Sequence, residues 1–102
     1  MIRLDYHFDT EVEFEEAVEF YDDKSFGLGE RFQKAVFHAV ENIRQNPETG
    51  MIWIKDTRLF IVDRFPYGIV FKNFTDHILI VAVYHLSRKP DYWTKRLQDL
   101  SQ

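Results

Sequence analysis

RLFIVDRFPYGIVFKNFTDHILIVAVYHLSRKPDYW, residues 58–93, decides the fold of this chain. It holds three apolar runs, at 59–62, 69–74 and 78–84, each with the length and the β-branched and aromatic content of a strand. Pro66-Tyr67-Gly68 separates the first from the second, and Thr75-Asp76 separates the second from the third. Connections that short join antiparallel neighbours only, because a parallel return needs a crossover of a dozen or more residues. The third run is apolar at every position from 78 to 83, so it is expected to be covered on both faces and to lie centrally.

In such a meander the outer two strands run the same way. The end of the first (Arg64), the start of the second (Tyr67) and the end of the third (Tyr84, His85, then Arg88) are expected at one rim of the sheet. Arg64 and His85 would then stand two strand spacings apart, roughly 10 Å. Arg58 falls about 20 Å away, at the far end of its strand. Arginines, tyrosines and a histidine converging on one rim form a candidate site for a phosphate or a carboxylate. Each also has a purely structural reading: Arg64 paired with Asp63 or Asp91, Tyr67 capping the hairpin, His85 satisfied at the rim.

Upstream of this stretch, residues 2–8 alternate as a strand with one buried face. Asp9 or Thr10 is a suitable N-cap for a helix to about Asp23, with Glu11 and Glu13 in its first turn and Phe14, Ala17, Val18 and Tyr21 as its apolar stripe. Its many carboxylates read as a solvated face, or as a surface that turns polyanions away. Residues 25–29 break the helix, and Leu28, Phe32, Ala35, Val36, Ala39, Val40 and Ile43 mark the stripe of a second one, ended by Asn46-Pro47. The two should form an antiparallel hairpin across one face of the sheet, with His38 exposed on its outer side. Met51-Ile52-Trp53-Ile54 suggests a short edge strand, and Trp53 closes the core or marks a docking surface. Pro90 opens a carboxy-terminal helix over 91–100, whose Tyr92, Trp93, Arg96, Leu97 and Leu100 face the sheet or a partner. The sum is an α+β fold, β-α-α-(β)-β-β-β-α, as a single domain over residues 1–102.

Composition narrows the function. A chain of 102 residues holds one core and is too small for two, and 45% apolar with 17% aromatic content argues for a globule. There is no cysteine, which removes disulfides, thiolate nucleophiles and zinc–thiolate sites and fits a reducing cytoplasm. No run approaches a membrane span, and the charged amino terminus is unlike a signal peptide. Nothing in the residues calls for a cofactor or a metal. The formal charge of −4 is uneven: residues 1–50 hold 12 acidic against 5 basic side chains, residues 51–102 hold 5 against 8.

The element order resembles the RelE/ParE superfamily of bacterial toxins, often called plasmid stabilisation proteins. The resemblance spans nearly the whole chain. It rests on EFYDDKSFGLGERF (19–32), ENIRQNPETG (41–50), Arg58 ahead of a strand, RFPYGIVF (64–71) and ILIVAVYHLSRKPDYW (78–93), with its H-x-x-R-x-P-x-x-W ending. It implies the toxin of a type II toxin–antitoxin system: a cytoplasmic inhibitor of growth, neutralised in a hetero-oligomer by a cognate antitoxin that lays a segment over the apolar surface between hairpin and sheet. Two mechanisms divide the superfamily. ParE-like members bind DNA gyrase, and here Trp93 and Arg96 of the carboxy-terminal segment would contact the target. RelE-like members are metal-independent endoribonucleases that cut mRNA on the ribosome; in that case His85 or Tyr84 would move protons while Arg64 and Arg88 hold the phosphate. An isoelectric point near 5.5, with only Lys55 and Arg58 basic in the loop where RelE-like enzymes carry lysines, favours the ParE-like mechanism. A third alternative is a non-toxic remnant that binds antitoxin only.

Overall fold

The structure, a computed structural model, describes residues 2–101, with side chains through Gln98. The meander is present: β3 (Arg58–Ile61), β4 (Tyr67–Asn73) and β5 (His77–His85) pair antiparallel in succession. On the other flank of β5 lies β1 (Arg3–Tyr6), in parallel, and β2 (Met51–Ile52) pairs with β3. The order is β1-β5-β4-β3-β2, so the continuously apolar strand is interior, flanked by β1 and β4, while β4 is the middle strand. The strand boundaries extend past the apolar runs, because Tyr67, Gly68, His77 and His85 keep ladder partners although their side chains break the pattern.

One irregularity in β5 sets how both faces of the sheet pack. Val70 faces Ala82 and Phe71 faces Ile80, which leaves Val81 as the extra residue of a β-bulge. Alternation slips there. Ile78, Ile80 and Val83 join the cluster beneath the helices, while Leu79, Val81, Ala82 and Tyr84 join a second cluster with Leu59, Val70 and Trp93. The expectation of one core is therefore corrected. Strand β5 is buried on both faces, and each face of a single sheet supplies half of a separate cluster.

Helices α1 (Phe8–Lys24) and α2 (Leu28–Gln45) make the expected hairpin over the first cluster. The α1 cap is His7, not Asp9 or Thr10: its Nδ1 accepts the Asp9 N–H at 3.1 Å. Thr10 is instead buried, its hydroxyl donating to the carbonyls of Val81 at 2.9 Å and Ile80 at 3.3 Å. At the hairpin turn Gly27 takes a φ of 79°, a left-handed value that suits glycine. The α2 amino terminus borrows its cap from α1, since the Asp22 carboxylate accepts the Gly29 N–H at 2.9 Å. A methyl group on Gly29 would sit 2.4 Å from that carboxylate, so a side chain there would push the Asp22 cap aside. The stripe of α2 is as read, with Phe32, Val36, Ala39, Val40 and Ile43 buried and His38 exposed.

The second face is covered by the end of the chain. After β5 the chain turns across the sheet, buries Trp93 completely, and closes with a 3-10 helix (Thr94–Ser101). The helix begins three residues later than the Asp91 start read from Pro90, and it is 3-10, because Tyr92 and Trp93 are anchored at the sheet before a helical turn forms. Leu100 lies outside the described side chains. Trp53 and Ile54 also pack on this cluster. Among the described residues no helix is long and apolar enough to cross a membrane.

Candidate functional site

The rim expected from the meander forms around Tyr67 and His85. They are direct partners across β4 and β5, their rings edge to face with centroids 5.2 Å apart. Together with Arg88 and the α1 carboxylates Glu13 and Glu16 they line a cleft of about 200 Å3. The turn after β5 orients the imidazole: the Ser87 backbone N–H donates to His85 Nδ1 at 3.1 Å. Nδ1 therefore carries a lone pair, and the proton of the neutral ring sits on Nε2. Burial, followed by the neighbouring Tyr21, pushes the Tyr67 phenol up, with Arg88 opposing. Tyr67 is consequently a neutral hydrogen-bond donor rather than a base.

The other expected members part company. Arg64 sits in the β3–β4 turn with a φ of 68°, its side chain 88% exposed and its Nε 3.7 Å from Asp63. It lines grooves against α2 and does not reach the His85 cleft. Arg58 is far off as expected, donating to the Glu48 carbonyl. Tyr84 contributes to the cleft wall but is buried, and burial raises its phenol as well. Arg88 stacks its guanidinium over Tyr92 at 3.8 Å and approaches Glu13 at 4.0 Å. The cleft thus offers one proton-carrying imidazole and one shared cation, beside two carboxylates.

Of the two readings of the carboxy-terminal stripe, facing the sheet or a partner, the structure has the first for Trp93 and Arg96, so neither offers the target-contacting surface that the resemblance implies. The Trp93 ring is fully enclosed in the second cluster. Arg96, with a side chain 11% exposed, is clamped by Glu13. Nη1 and Nη2 each donate to one Glu13 oxygen at 2.9 Å, and Nη1 also reaches the Val81 carbonyl at 2.9 Å. Glu13 further accepts the Val83 N–H at 3.2 Å and a short hydrogen bond from the Tyr92 hydroxyl. Burial alone would lower the Arg96 guanidinium, but the bonds and charge of Glu13, with Tyr92 and Asp9, outweigh it and raise the net value.

The clamp has a cause in the topology. β1 pairs with β5 only as far as Tyr6 and Ile80, so the β5 edge beyond the bulge has no strand beside it. Buried backbone groups require partners, and Thr10, Glu13 and Arg96 supply them with side chains. Reading Glu13 as a first-turn carboxylate on a solvated face misses this role. The signal for it is its place on the helix: Glu13 lies three residues after Thr10 and four before Ala17, on the flank of the buried stripe.

No protein-family model matches this sequence, and no curated protein matches it. Among solved structures, a chain described as "Chromosomal ParDE TA system from P. aeruginosa" superposes with a TM-score of 0.64 at 19% identity, over 83% of this chain and 96% of that one. At that identity the likeness carries the fold. The chain has the RelE/ParE-like α+β fold, that of a ParDE-system chain.

Proposed function

We propose that this chain is the toxin of a type II toxin–antitoxin pair, acting in the cytoplasm, held inactive by a cognate antitoxin, and arresting growth by binding DNA gyrase rather than by cutting RNA. The observation that carries the reading is the fold shared with the ParDE-system chain over 96% of that chain's length. The binding mechanism draws on the rim cleft. Cleaving a phosphodiester calls for cations converging on the phosphorane. Here Arg64 lies elsewhere, Arg88 is shared with Tyr92 and Glu13, Glu13 is already taken up by Arg96, and the exposed Glu16 would repel a phosphate. An antitoxin has apolar surface to cover beside α1 and α2, where Phe8, Val12 and Phe37 are exposed.

The test is induced expression of the chain alone in a bacterial host, with and without co-expression of the reading frame adjacent to its gene. Growth arrest relieved by the neighbour, with intact mRNA and altered plasmid supercoiling, is the expected result. Rapid loss of mRNA, abolished by His85→Ala, would make the chain a RelE-like ribonuclease. Unimpaired growth would mark a remnant that binds antitoxin only.

A further inference from the structure

The threonine hydroxyls of Thr10, Thr57 and Thr94 donate to backbone carbonyls, at 2.9, 2.6 and 2.9 Å. Such a bond anchors a hydroxyl, but a carbonyl does not take its proton. The Ser87 hydroxyl is placed differently: its Oγ lies 2.7 Å from Nδ1 of the His85 imidazole. The backbone decides which of the two donates. The Ser87 N–H can only donate, and it meets the same Nδ1 at 3.1 Å, so the ring nitrogen is the acceptor. The Ser87 O–H therefore directs its proton at a basic lone pair, the arrangement that makes a nucleophile of a hydroxyl.

Three contacts hold the pair in place. The His85 ring lies edge to face with Tyr67. The Leu86 N–H donates to the Pro66 carbonyl at 2.9 Å, and the Arg88 N–H closes the turn on the His85 carbonyl at 3.0 Å. Ser87 is exposed, as is every residue from Leu86 to Asp91, so an electrophile reaches Oγ without displacing a buried group. The surrounding charge is mixed. Glu16 and Arg88 line the cleft beside the imidazole, and Lys89 follows in the chain. A cation and an anion would each meet a like charge there, whereas a neutral reactant meets neither penalty.

We infer that Ser87 and His85 form a nucleophilic dyad that takes an acyl group from a neutral, activated carboxylic ester. Oγ attacks the carbonyl carbon while its proton passes to Nδ1. The imidazolium then gives that proton to the departing oxygen as the carbon–oxygen bond breaks, so one serine ester forms and one alcohol or phenol is released. The ion-paired histidines among the described residues are His7 and His77, so no carboxylate backs the His85 ring as it would in a triad. That restricts the reaction to esters with a good leaving group and lets the acyl-serine accumulate. The inference goes beyond the growth-arrest reading and needs neither target nor antitoxin.

The experiment is incubation of the full chain with para-nitrophenyl acetate, following nitrophenolate release and locating the acetyl group by peptide mass spectrometry. A burst of about one equivalent per chain is expected, with an acetyl ester on Ser87 that hydroxylamine removes. Ser87→Ala should abolish the burst, and because Ser87 is exposed an unchanged urea midpoint establishes that the variant is folded. His85→Ala should slow the labelling of Ser87 by at least about 100-fold. His85→Gln fills the space beside Tyr67 without supplying a base, and it should be as slow as His85→Ala. Acetyl groups confined to lysines or the amino terminus would overturn the proposal. So would Ser87 labelled as fast in His85→Gln as in the parent chain, or a burst retained in Ser87→Ala, which would place the nucleophile elsewhere.

Discussion

Arg96 and Arg64 make the most informative contrast in the molecule. Both read as functional in the sequence, Arg64 at the rim of the sheet and Arg96 on the carboxy-terminal segment. The fold gives them opposite fates. Arg96 is enclosed, with both terminal nitrogens on Glu13 and one also on the bulged Val81 carbonyl. Arg64 projects into solvent from a left-handed turn residue, beside a carboxylate as exposed as itself. The difference lies in the backbone each one meets. Beyond the bulge β5 has an edge with no strand beside it, and that edge recruits Thr10, Glu13 and Arg96; the β3–β4 turn closes its own hydrogen bonds and demands nothing of Arg64.

If that contrast is right, the largest losses of stability come from the enclosed side. Trp93→Ala empties the centre of the second cluster and should cost about 3–5 kcal/mol, a large share of the roughly 5–15 kcal/mol that holds a small domain folded. Trp93→Phe should cost much less. It leaves most of the ring, and the indole N–H it deletes has no acceptor among the described residues. Urea unfolding of both variants gives the ranking, and equal losses would contradict the packing account. Glu13→Ala comes next, at about 3 kcal/mol, because it strands the buried Arg96 charge along with the Tyr92 hydroxyl and the Val83 N–H. A loss below about 1 kcal/mol would mean that water replaces Glu13 and that the clamp is incidental.

The same contrast separates what the sequence discloses from what it hides. The meander, its doubly covered third strand, the helical hairpin and the His85–Tyr67 rim follow from local pattern and turn length, and they are legible. The second cluster is not. Its existence depends on Trp93 and Tyr92 folding back under β5, a long-range contact that periodicity does not encode. The bulge at Val81 is equally hidden, since the run from 78 to 83 is apolar at every position and offers no phase to slip. Glu13 is misread because its neighbours Glu11, Glu15 and Glu16 are solvent-facing, and only the β5 edge singles it out.

A smaller effect concerns the clamp at alkaline pH. The Tyr92 phenol is pushed strongly up, first by burial and then by its hydrogen bond to Glu13 and that carboxylate's charge. Tyr6, Tyr21, Tyr67 and Tyr84 are raised as well, each chiefly by burial. A phenol whose folded value exceeds its unfolded value contributes stability that is intact below the unfolded value, near 10, and is lost as pH rises towards the folded one. Stability should therefore be flat up to about pH 9 and fall above about 10. Tyr92→Phe removes the most strongly raised phenol, so its unfolding free energy should start lower, for want of the Glu13 bond, yet decline less steeply. Parallel slopes in the two proteins would show that Tyr92 ionises freely, and that the clamp does not hold it.

The exposed side should give the smallest effects, with one of the opposite sign. Arg64 makes a single weak ion pair, so Arg64→Ala should shift stability by less than about 0.5 kcal/mol. Its φ of 68°, however, is costly for any residue with a side chain. Arg64→Gly relieves about 1 kcal/mol of that strain and gives back about half through the freer unfolded chain, for a net gain of about 0.5 kcal/mol. Paired urea curves on the two variants read the difference directly. A loss above about 1 kcal/mol in Arg64→Ala would place Arg64 among the structural arginines and erase the contrast with Arg96.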